Sequence, residues 1–142
     1  MPVYQIVIDT NVLIAALRSR RRASYRLLSL IDSGKYQANL SVPLVLEYEA
    51  VAKRLVGEIP LTRRDIDVIL DYVCSVAHHR QIYYLWRPFL SDPRDDMVLE
   101  LAVTGKCDFI VTFNKSDFEG VERFGLNALT PKEFLQKIGV VK

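Results

Sequence analysis

Apolar positions along this chain follow two rhythms: short continuous runs of the kind that form buried strands, and longer stretches with helical spacing. Ile6-Val7-Ile8 closes the first run, within a strand predicted over residues 3–8, and Asp9-Thr10-Asn11-Val12-Leu13-Ile14 leads into a short helix over 11–17. A helix near 23–32 and a strand from Ala38 to Val42 come next, and Pro43 then stands where a first helical residue belongs. That helix runs to about Val56, with Gly57 and Pro60 as punctuation. Thr62 and Asp65 form a capping-box pattern that opens another helix to about Ala77. Residues 82–86 read as a short strand, Ser91-Asp92-Pro93 starts a helix ending at Gly105, and Asp108 to Thr112 and Asn127 to Leu129 read as the remaining strands. Thr130-Pro131-Lys132-Glu133 caps the last helix. Strands alternating with helices predict an α/β fold, a parallel sheet covered on both faces.

With 142 residues, 50% of them hydrophobic and 25% charged, the chain suits one domain spanning residues 1–142. Met1-Pro2 passes straight into the first strand without a basic leader or apolar signal core, and no apolar segment approaches membrane-spanning length. The expectation is a soluble, cytoplasmic protein that engages no membrane. Cys74 and Cys107 lack the paired spacing of a zinc or redox motif and read as buried free thiols. His78 and His79, between a helix and a strand, suit a surface or helix-end role.

Asp9 carries the chemistry of the first motif. It stands at the carboxyl end of a predicted strand, where open α/β sheets place their ligand sites, and a carboxylate flanked by hydrocarbon needs a partner. Glu47 and Glu49 lie on the helix after the second strand, where Leu44, Tyr48, Val51 and Leu55 form an apolar stripe bordered by Glu47. Glu49 points away and has Lys53 four residues on, a favourable surface pair, so Glu47 is the functional candidate. Asp92, Asp95 and Asp96 crowd one helix start; Asp92 is a good N-cap, and helical phase turns Asp95 inward more than Asp96. Thr112, Asn114 and Asp117 follow a strand, although turn chemistry alone explains such residues. Asp108 begins that strand and falls at the opposite edge.

Taken in order, Ile8-Asp9-Thr10-Asn11-Val12, Ser41 with Glu47, Asp92-Pro93-Arg94-Asp95-Asp96 with Leu99 and Ala102, and Val111-Thr112-Phe113-Asn114-Lys115-Ser116-Asp117-Phe118 resemble the successive motifs of a PIN domain. The ending Thr130-Pro131-Lys132-Glu133-Phe134-Leu135 is similar to the usual close of that family, and the motifs are closest to those of toxin components of VapBC-like toxin–antitoxin pairs. The resemblance implies a three-layer α/β/α sandwich and an acidic pocket that holds Mg2+ or Mn2+ and cleaves RNA. It carries the core acids onto Asp9, Glu47 and Asp96, with Asp117 as the fourth and Thr112 and Asn114 as supporting polar residues; Asp92 and Asp95 are additional candidate acids. Many relatives have Asp where this chain has Asn114. A cognate antitoxin and a homo-oligomer, a dimer, are the implied partners besides RNA.

The residue types suit that chemistry on their own account, since carboxylates are hard ligands for Mg2+ or Mn2+, and a coordinated water supplies a nucleophile. A net charge of +2 does not announce a nucleic-acid binder, so only the distribution of charge bears on it. The dense basic run Arg18-Ser19-Arg20-Arg21-Arg22 is a solvated stretch or a contact for RNA phosphates or an acidic antitoxin segment, with Arg20, Arg21 and Arg22 as the candidates. Tyr83-Tyr84-Leu85-Trp86-Arg87-Pro88-Phe89 reads as packing more readily than as a base-stacking platform. Two rival functions stand beside the nuclease: a phosphoryl-transfer α/β domain, which would want a second aspartate where Asn11 stands, and a catalytically weak or inactive RNA- or protein-binding module.

Overall fold

In the computed structural model, which describes residues 3–82, 90 and 92–142, β1 (Tyr4–Ile8) forms the centre of a five-stranded sheet. The other strands are β2 (Tyr36–Leu40), β3 (His78–His79), β4 (Phe109–Val111) and β5 (Asn127–Leu129), and their spatial order is β3-β2-β1-β4-β5. Every pair is parallel. Ile6, Val7 and Ile8 are all buried although successive strand residues point to opposite faces, so both faces of the sheet are covered, as predicted.

The helices are α1 (Thr10–Arg18), α2 (Ala23–Ser29), α3 (Val42–Arg54), α4 (Arg63–Val76), α5 (Pro93–Thr104) and α6 (Pro131–Lys137). Helix α5 packs on β1, β2 and β4, while α1 packs on α2 and α3, α2 on α6, and α3 on α4. Both predicted capping boxes are present, Thr62 with Asp65 opening α4 and Thr130 with Glu133 opening α6. Among the described residues, no helix is long and apolar enough to cross a membrane.

Three differences from the sequence reading have local causes. Strand β2 ends at Leu40, two residues early, because the Ser41 side chain accepts the Leu44 N–H and caps α3. His78 and His79 form an edge strand beside Asn39 and Leu40, where only a connection was expected. The His79 ring also meets the carbonyl of Cys74 at 2.6 Å, the helix-end role foreseen for this pair. Two 3-10 turns, Lys115–Phe118 and Val121–Phe124, occupy a stretch read as turn. The strand predicted over 82–86 and the aromatic run 83–89 lie outside the described residues, apart from Ile82, which is not in a strand.

The chain leaves β1 towards β2 and β3 on one side and returns to β4 and β5 on the other. The boundary between β1 and β4 is therefore the switch point at which a parallel sheet opens a crevice at its carboxyl edge. Asp9 and Thr112 are the first residues beyond those two strands.

Candidate active site

The crevice begins with Asp9, which is 8% exposed and caps α1. Its Oδ1 accepts the Thr10 N–H at 2.8 Å, and its Oδ2 accepts the Thr112 hydroxyl at 2.8 Å. The Asp9 backbone N–H donates to Val111 at 2.9 Å, continuing the β1–β4 ladder by one residue. Thr112 Oγ1 also accepts the Asn114 N–H at 3.0 Å and lies 3.5 Å from Asn11 Nδ2. Asn11 is thus part of the scaffold around Asp9.

Glu47 reaches the same place from α3, where Glu47, Val51 and Leu55, at successive four-residue intervals, all line the cavity. The Thr10 hydroxyl donates to the Glu47 carboxylate. Next to it, Tyr48 points into the core and its hydroxyl donates to the carbonyl of Ile8, the residue preceding Asp9. Glu49 faces outward, with Lys53 at 3.5 Å, as expected.

The far wall comes from α5 and from the turn after β4. Asp92 caps α5 through the Arg94 N–H at 2.9 Å, and Asp95, in the first helical turn, lines the cavity. Asn114 and Asp117 follow β4 and line it too. Lys115, in the turn that carries Asp117, is held by Glu133 of α6 at 3.0 Å. The space enclosed is about 470 Å³, open to solvent and lined by carboxylates from four separate segments, Asp9, Glu47, Asp92 with Asp95, and Asp117.

Crowded like charges alter the acids. Burial raises the pKa of Asp9 above its ordinary value, the hydrogen bonds from Thr112 and Thr10 oppose this, and the charges of Glu47 and Asp117 add to it. Asp95 is pushed up to about 7, first by burial and then by Asp9, Asp92 and Asp117, with Arg94 opposing. Asp92, held by the Arg94 backbone and side chain, is lowered.

The sequence profile of the PIN domain matches residues 5–116, a span that includes Asp9, Glu47, Asp95 and Asn114. The chain belongs to the PIN-domain family. Its fold is similar to that of a chain in the crystal structure of VapBC2 from Rickettsia felis bound to a DNA fragment from their promoter. The two share 14% sequence identity at a TM-score of 0.60, over 87% of this chain and 98% of that one. No curated protein sequence matches the chain.

Within this PIN domain the third acid of the cavity differs from expectation. The resemblance carried that role onto Asp96, yet Asp96 is 1% exposed, and its Oδ1 accepts the Leu90 N–H at 2.8 Å. Asp95 lines the cavity in its place. Because α5 is helical from Pro93 onward, consecutive residues diverge by about 100° around its axis, which separates the two neighbours. Asp108 lies at the far edge, accepting the Gln5 N–H at 2.8 Å. In the arginine run, Arg20 lines a groove next to the cavity, whereas Arg21 and Arg22 are exposed on the turn leading into α2.

Five contributors escaped the sequence reading: Thr10, Asn11, Tyr48, Arg18 and Arg94. A buried tyrosine hydroxyl demands a partner, which was the available signal for Tyr48. Nothing in the spacing revealed that Arg18 and Arg94 line the acidic cavity.

The donor set of this PIN domain suits a hard divalent cation, because its oxygens face one water-accessible space and their mutual repulsion is what such an ion relieves. Among the described residues, no three acidic, histidine or cysteine side chains already stand together as a metal-binding group.

Proposed function

We propose that this PIN domain is a divalent-metal-dependent endoribonuclease and the toxin of a toxin–antitoxin pair. The observation that carries the reading is the meeting of Asp9, Glu47, Asp95 and Asp117 around one cavity at the sheet's switch point. Family membership supports nuclease chemistry, and the likeness to a chain of VapBC2 supports an antitoxin partner.

Asp9, Glu47 and Asp95 would hold Mg2+ or Mn2+, with Asp117 completing the set. When bound, such an ion lowers the pKa of a coordinated water and offsets the charge that builds on the phosphate during hydrolysis. Thr112 and Thr10 fix the two oxygens of Asp9, so its orientation is set before substrate arrives. Thr10 does the same for Glu47. Asp95, with its pKa near 7, holds a proton on its carboxyl in part of the population at neutral pH and would release it to solvent on binding a cation. Asn114 supplies a neutral oxygen or amide at the rim, a weaker ligand than a carboxylate.

The deciding experiment is cleavage of RNA by the purified protein with and without Mn2+, beside Asp9→Asn. Cleavage that needs both Mn2+ and Asp9 supports the reading; absent cleavage favours a binding module, and cleavage without metal overturns the metal-dependent chemistry. Growth arrest on expression, absent with Asp9→Asn, tests the toxin role, and solution mass tests self-association.

A further inference from the structure

The acidic cavity poses an electrostatic problem for a polyanionic substrate, since its carboxylates repel phosphates as strongly as they attract a cation. Two guanidinium groups stand on its walls. Arg18, in the last turn of α1, lines the cavity and also the neighbouring groove beside Ser19, Arg20 and Tyr25. Arg94, in the first turn of α5, lines the cavity and also a second groove, beside Arg80 and Pro43. Three depressions therefore share two arginines, with a further arginine in each outer one, the carboxylate cluster in the middle, and the buried Glu100 as the acid at the Arg80 groove.

Both arginines are available to a ligand. Arg18 is exposed, and among the described residues it has no ion-pair partner. Arg94 is 69% exposed and touches Asp92 through one terminal nitrogen at 3.3 Å, a surface pair of small energetic weight. In the outer groove, Arg80 is aimed by Asn39, whose Oδ1 accepts its Nε–H at 2.8 Å.

We propose that Arg18 and Arg94 grip phosphates of one RNA strand on either side of the acidic cavity, so that the strand runs from the groove at Arg20, across the carboxylates, to the groove at Arg80. The inference rests on the ribonuclease reading and deepens it. Planar guanidinium forks suit phosphate oxygens, and placing one on each side of the acids holds the scissile phosphate over the metal-binding groups while the flanking phosphates bear the attraction. Neither arginine enters the chemical step.

The test compares Arg18→Gln/Arg94→Gln with the charge-matched control Lys35→Gln/Lys106→Gln, whose lysines precede β2 and β4 at the opposite end of the sheet. The probe is a fluorescein-labelled single-stranded RNA of mixed sequence. The expected result for the arginine variant is a KM raised about tenfold or more with kcat within about twofold. Its log–log salt dependence of binding flattens by about 1.4, or about 0.7 per lost contact. Mn2+ affinity by calorimetry stays at or above the wild-type value, since no ligand is lost and a neighbouring positive charge is removed, the lysine control matches wild type throughout, and Arg94→Lys recovers part of the KM. An unchanged KM and salt slope overturn the proposal, as does a fall in kcat alone or a loss confined to an acidic protein partner. A wild-type protein that binds Mn2+ and RNA without cleaving sinks the ribonuclease reading instead, and the salt slope then decides the grip on its own.

Discussion

Thr112 Oγ1 donates to Asp9 Oδ2 at 2.8 Å, joining the carboxyl ends of two adjacent strands through residues 103 positions apart. The same oxygen accepts the Asn114 N–H at 3.0 Å, so one hydroxyl orients an acid and anchors the turn that follows β4. Thr112→Val keeps the shape and removes both bonds. Mn2+ affinity is expected to fall by about 10- to 100-fold, as for other groups that orient metal ligands, and stability by about 1 kcal/mol. Calorimetry and denaturant unfolding measure the two effects, and Thr112→Ser should restore most of both. Undiminished metal affinity in Thr112→Val would remove Thr112 from the site.

Asp95 and Asp96 should respond oppositely to neutralisation. Asp95→Asn is expected to cut RNA cleavage by orders of magnitude while leaving the unfolding midpoint level or higher, because it relieves repulsion from Asp9, Asp92 and Asp117. Asp96→Asn disturbs a buried acceptor of the Leu90 N–H and should cost about 1–3 kcal/mol of stability. Paired cleavage and urea-unfolding measurements decide; an inactive, fully stable Asp96→Asn would return the role to Asp96.

The pH dependence of the metal-free protein follows from the raised acids. Asp95 moves from 3.8 to about 7 on folding, so the folded state binds its proton more tightly. Its contribution is greatest below pH 3.8 and is withdrawn as the pH climbs to about 7. Asp9, also raised, acts in the same sense. The difference in unfolding free energy between wild type and Asp95→Asn should therefore shift against wild type across that window, and excess Mn2+ should reverse the trend by favouring the deprotonated acids. A pH-independent difference without metal would contradict the crowding of these carboxylates.

Tyr48→Phe isolates one buried hydroxyl. Its ring is 2% exposed, so phenylalanine fills the same space and leaves the Ile8 carbonyl without this donor. The expected cost is about 1 kcal/mol in denaturant unfolding, with a drop in cleavage because Ile8 carries Asp9. Wild-type stability and activity together would show that the bond positions nothing.

Much of this architecture was legible from rhythm alone, since the fully buried run Ile6-Val7-Ile8 and the capped starts at Thr62 and Thr130 are local signals. The two-residue strand His78–His79 carries no pattern of its own and exists because Asn39 and Leu40 offer a free edge. Among the acids, Asp9, Glu47 and Asp117 were placed by motif order, and each lines the cavity. The choice between Asp95 and Asp96 turned on helical phase, which favoured Asp95, whereas the family spacing favoured Asp96. In the structure Asp96 is the more deeply buried of the two, at 1% exposure, and the half-buried Asp95 lines the cavity, because adjacent acids differ by a rotation that only the helix start fixes. Arg18 and Arg94 were invisible as a pair because their meeting is purely tertiary.

The central strand of the sheet is also the earliest in the chain, and this imposes an order on the protein's own synthesis. Strand β1 leaves the ribosome first, yet its neighbour β4 arrives only with Phe109–Val111, and the last acid with Asp117. Until then the Asp9 N–H lacks Val111 as its acceptor, and Asp9 Oδ2 lacks the Thr112 donor. Closing so long a loop is slow compared with forming helices. A growing chain therefore carries Asp9 without its Val111 and Thr112 partners through most of translation, and the crevice is assembled only once residue 117 can join it.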